Sequence, residues 1–74
     1  MTTLAHWADV RQTSLPVAKA IWEHAGNGCE GTAERIWSNP TPEEIANIEA
    51  RAWQLADPDD DILHWGVTAI KRPS

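Results

Sequence analysis

The sequence predicts an all-α fold, a compact bundle of four or five short helices whose final segment could instead be extended. Three observations predict it. Helix start and stop signals recur along the chain, apolar residues fall at helical spacing between them, and all five aromatic residues are Trp. A chain of 74 residues has room for one hydrophobic core, so residues 1–74 are expected to form a single helical domain.

The first helix is short. Thr2 or Thr3 can cap it, and Leu4, Trp7, Ala8 and Arg11 then lie on one side. A second helix is expected over Leu15–Ala25, with Ser14 before it and Pro16 in its first turn. Val17, Ala18, Ile21, Trp22 and Ala25 share a face, and Gly26, Asn27 and Gly28 close the segment. A third, about Thr32 to Ser38, presents Ala33, Ile36 and Trp37 and is stopped by Asn39-Pro40. The fourth has the clearest start, because Thr41, Pro42 and Glu44 form a capping box with proline at the first helical position. From there Ile45, Ile48, Ala52, Leu55 and Ala56 make one stripe, which ends near Ala56 ahead of Pro58. Trp53, Ala46 and Ala50 lie on an adjoining side.

The last stretch, Asp59 to Ile70, satisfies two patterns. A helix would carry aspartates in its first turn and align Ile62, Gly66, Ala69 and Ile70, whereas Ile62 to Ile70 is also a β-rich run. The expectation is a helix to about Trp65 with an extended or helical tail. Trp7, Trp22, Trp37 and Trp53 recur every 15 or 16 residues, one anchor per short helix, each able to bury roughly 150–250 Å². The expected core is Trp7, Val17, Ile21, Trp22, Ile36, Trp37, Ile45, Ile48, Leu55 and Leu63.

The net charge of −5 is uneven. Seven acids between Glu43 and Asp61 face Arg51 alone, a local balance of −6, while the remaining four acids and five bases leave +1. Such a face repels nucleic acid and anionic lipid and suits a basic protein surface. No apolar run approaches the roughly 20 residues of a membrane span. The first ten residues hold no basic cluster of a secretory signal, and lone Cys29 has no disulfide partner. These features point to a soluble protein of the reducing cytoplasm.

Constellations that carry chemistry fail at their defining positions. Counted from Asp57, the Asp57–Asp61 turn has Ile62 where a calcium loop needs glycine and Thr68 where it needs glutamate. His6, His24, His64 and Cys29 show no metal-ligand spacing, and neither a nucleophile elbow nor a phosphate-binding loop occurs. The expectation is a non-enzyme without metal or cofactor. A helix-turn-helix over residues 4–25 is the alternative reading, since the two helices and the Gln12–Ser14 turn have suitable lengths. Against it, Lys19 is the only base on the would-be recognition helix, and Glu23 faces the same side.

What remains is a small acidic protein-interaction module. It is expected to act as a regulator or inhibitor, encoded by a phage or other mobile element, that covers a basic, nucleic-acid-binding surface of a larger partner. The expected contact residues are Glu43, Glu44, Glu49, Trp53, Asp57, Asp59, Asp60 and Asp61. Trp53 lies off the buried stripe among polar residues, the composition of an interface hot spot, although it could instead pack under the first helix. The same Trp-bearing faces could also close a homodimer.

Overall fold

Each helix begins and ends close to its sequence punctuation. In the computed structural model, which describes residues 3–27, 29–65 and 68–72, four helices come first: α1 (Leu4–Arg11), α2 (Leu15–Ala25), α3 (Glu30–Ser38) and α4 (Pro42–Leu55). A hairpin follows, of β1 (Ile62–Trp65) and β2 (Thr68–Lys71). Thr3 caps α1 by accepting the His6 amide at 3.1 Å. Thr41 and Glu44 close a reciprocal capping box on α4. Ser14 stands at the start of α2 without a side-chain cap bond, so Pro16 supplies the signal there. Gly26 ends α2 at φ 105°, a left-handed conformation that a side chain would oppose. Expectations resting on Thr2, Gly28 and Gly66 lie outside the described residues.

α2 is the central element. It packs against α1, α3, α4 and β1, and Val17, Ala18, Ala20 and Ile21 are buried along it. Trp7 joins three helices: its ring meets Trp22 edge-on at 6.1 Å and Trp37 at 5.7 Å. The radius of gyration of 11.2 Å is close to the roughly 11 Å expected of a compact chain this long.

The expected final helix is corrected. Residues 62–65 are a strand paired antiparallel with β2, placing Leu63 opposite Ile70 and His64 opposite Ala69. Exposure alternates along β1, with Ile62 and His64 outward and Leu63 and Trp65 buried. The reason is periodicity. Two residues apart on a strand point the same way, whereas on a helix Leu63 and Trp65 would diverge by about 200° and only one could reach the core. The fold is therefore mostly helical with a small antiparallel sheet, not purely α.

The expected core is also corrected. Trp7, Val17, Ile21, Ile36, Ile48 and Leu63 are buried, but Trp22, Trp37, Ile45 and Leu55 are only partly so, packed against the core from outside. Their places are taken by Ala8, Ala18, Ala20, Ala33 and Ala52, and by Trp65 and Ile70 of the hairpin. So small a domain has little interior relative to surface. Where helices approach closely alanine fits, and large rings lie across the boundary.

Candidate functional site

The charged segment begins at the α4 capping box. Glu44 Oε1 accepts the Thr41 amide at 2.9 Å, and Thr41 Oγ1 accepts the Glu44 amide at 3.1 Å. The same carboxylate takes the Arg35 guanidinium on both oxygens, at 3.2 and 2.5 Å. Arg35, and then the Thr41 amide, hold the Glu44 carboxyl down at about 2 from its ordinary 4.5. Glu44 is therefore committed to tying α4 to α3, and does not join the open acids.

The other helical acids diverge. Glu43 is exposed in the first turn, while Glu49 is half-buried beside Trp53, Ile70 and Lys71 in a groove between α4 and β2. Six positions apart, they lie about 120° from each other around the helix. They do not form one acidic stripe.

The turn after α4 concentrates the charge. Asp57 and Asp60 brace it: the Asp57 amide donates to Asp60 Oδ2 and the Asp60 amide to the Asp57 carbonyl, both at 3.0 Å. Arg72, beyond β2, donates to the carbonyls of Asp57, Pro58 and Asp60 at 3.2, 3.3 and 2.6 Å. It bonds carbonyls instead of carboxylates, so the acidic groups of Asp57, Asp59 and Asp61 stay open to solvent. The cation also lies 4.7 Å from the Trp53 ring centroid. Arg72 is thus a staple between the turn, the hairpin end and the tryptophan.

Trp53 is half-buried, lined by Ile70 and Lys71 of β2, with one face occupied by Arg72. Its indole N–H is buried and unpartnered among the described residues. Trp53 is thus partly exposed beside Glu49, Lys71 and Arg72, and the hairpin occupies the space beside α4 that the sequence had left open.

Sequence reasoning missed an apolar groove on the other side of the turn. Leu4, Leu15, Pro16 and Leu55 line it together with Lys19 and Asp57, and its volume is about 280 Å³. Its one sequence signal is Leu15, a large apolar residue off the buried stripe of α2. The three histidines are exposed on α1, α2 and β1, and Cys29 is exposed ahead of α3. Among the described residues no three His, Cys, Asp or Glu side chains gather as metal ligands.

Comparison with known proteins places this chain beside a small set of bacterial relatives. Residues 2–74 match the family model described as YccJ-like protein. The uncharacterized protein YccJ of Escherichia coli strain K12 is 36% identical over 69 residues, covering 93% of this chain and 83% of the relative. The proteins of the same name from Escherichia coli O6:H1 and Shigella flexneri match with the same identity and coverage. No solved structure matches.

Proposed function

The chain belongs to the YccJ-like protein family, and we propose that it is a small acidic interaction module that binds a basic surface of a larger protein. One observation carries the reading. Among the described residues, six of the seven acids from Glu43 to Asp61 have no ion-pair partner, Glu44 being the exception. The arginines are occupied meanwhile. Arg11 pairs with Glu34 at 2.6 Å, Arg35 with Glu44, Arg51 with Glu23 at 3.0 Å, and Arg72 holds backbone carbonyls. Unneutralised charge is left on Asp57, Asp59, Asp60 and Asp61, with Glu49 toward β2. Glu43 stands at the far end of a helix about 21 Å long. The contact is therefore centred on the turn.

A module of this kind regulates or inhibits by occupying a basic patch that phosphate or another acidic partner would otherwise meet, and its association is fast and salt-sensitive. No helix among the described residues is long and apolar enough to cross a membrane. Cys29, the only cysteine, suits a reducing cytoplasm. The DNA-binding alternative has less support. Its recognition helix would be α2, which α1, α3, α4 and β1 surround, and whose exposed side chains are Leu15, Lys19 and His24.

The test is affinity capture from source-cell lysate, followed by salt titration of the recovered pair. Reversal of Asp57, Asp59 and Asp61 to lysine is expected to weaken binding at least tenfold and to flatten its salt dependence. Unchanged binding and unchanged salt slope would defeat the proposal. Tight binding to duplex DNA at low salt, abolished by Lys19→Glu, would favour the alternative.

A further inference from the structure

We infer that the groove at the junction of α1, α2 and α4 is an anchor site for one bulky aliphatic side chain on a basic helical segment of the partner. The inference rests on the acidic-surface reading and supplies the apolar half of that contact. Leu15 is 55% exposed at the first position of α2, where helix chemistry asks for no apolar residue. Leu4, Pro16 and Leu55 stand around it, half-buried, so the exposed leucine belongs to a concave patch.

Size limits the occupant. A volume of about 280 Å³ falls below the roughly 300–1,000 Å³ of small-molecule sites. It suits a bulky side chain inserted from a macromolecule. Charge then selects the class of segment. Asp57 lines the groove and leads along the chain into Asp59, Asp60 and Asp61, and Lys19 lines it as well. A helix that inserts an aliphatic residue places its positions three and four away about 5–6 Å off. Lysine or arginine there pairs with Asp57 and the aspartates that follow it. The other grooves fit a basic segment less well. The one between α4 and β2 sets Lys71 beside Glu49 and has the Arg72 cation against Trp53, and the one between α2 and α4 is bridged by the Glu23–Arg51 pair.

Two synthetic helical peptides of equal length and charge test this, one of lysine and leucine in amphipathic order and one with alanine replacing leucine. Each is titrated at low salt into isotope-labelled full-length protein and followed by amide and methyl shifts. The leucine peptide is expected to bind at least tenfold tighter, with its largest shifts at Leu4, Leu15, Lys19 and Leu55. Leu15→Ser, at an exposed site, is expected to reduce that affinity to the alanine peptide's level while leaving the latter unchanged. Equal affinities with intact salt dependence would overturn the groove and leave the acidic-surface reading standing. Failure of both peptides to bind would overturn both. Shifts centred on Trp53 and Ile70, or an unaltered Leu15→Ser variant, would also overturn the groove. A dimer of the protein alone, dissolved by Leu15→Ser in sedimentation, would make a second copy the occupant and overturn the inference.

Discussion

Trp7 is fully buried where three helices meet, and the arrangement of its neighbours shows how a chain with no other kind of aromatic residue packs. Trp22 and Trp37 approach it edge-on, and the Arg11 guanidinium lies 4.2 Å from its ring centroid. Edge-to-face pairs contribute about 0.5–1.5 kcal/mol each beyond the area they bury. The indole N–H of Trp7 is unpartnered among the described residues, so its contribution comes from packing. Trp7→Ala is expected to cost about 3–5 kcal/mol, a large part of the roughly 4–11 kcal/mol available to a chain this size. Trp22→Ala, at a half-buried position, is expected to cost clearly less. Urea midpoints of the two variants check this, and an equal or larger loss for Trp22→Ala would contradict the central place of Trp7. The sequence could name both as anchors, but hydrophobicity alone cannot rank residues whose burial depends on three separate helices.

At the scale of the element, helix ends were more legible than the last segment. The chemistry of a helix start is local: Thr41, Pro42 and Glu44 satisfy the same backbone groups wherever α4 packs, and α2 runs over Leu15–Ala25 as expected. What Glu44 does besides capping is not local. Arg35 lies nine residues earlier, and the bidentate pair exists because α3 and α4 meet. Its pH consequence has a definite sign. The folded state holds the Glu44 carboxyl at about 2, below its ordinary 4.5, and so favours the carboxylate. That stabilisation is complete above about pH 4.5 and is lost as the pH falls toward 2. The thermal midpoint of the native protein is therefore expected to drop across this window more steeply than that of Glu44→Gln. Parallel curves would show that the pair does not support the fold. The hairpin was the least legible element, because Ile62 to Ile70 serves both periodicities until a neighbouring surface chooses one. The buried side of α2 chooses the strand, since only that geometry sends Leu63 and Trp65 inward together.

For the whole molecule, the distribution of charge decides which acids are available. The excess of −6 between residues 43 and 61 was visible in the sequence, but its contiguity was not. Folding assigns Glu44 to Arg35, turns Glu43 and Glu49 apart, and leaves the turn as the acidic centre. It also brings Arg72 back across 12 to 15 positions to that turn. Arg72→Ala is expected to release the hairpin from the turn, so amide exchange at Leu63 and Ile70 rises at least tenfold while the amides of Ile21 and Ile48 keep their protection. Unchanged hairpin protection would show that Leu63, Trp65 and Ile70 hold the hairpin without the staple.

The sequence by itself determined the helix starts, six residues of the core and the location of the charge excess. Each is set by neighbours within about one helical turn or by composition alone. Only the tertiary structure decided that the last segment is a hairpin, that alanines fill the interior while three tryptophans lie at its boundary, and that Leu15 opens into a groove beside Asp57. Those outcomes depend on which surfaces meet across long sequence separations, and local pattern carries no information about the partner on the other side.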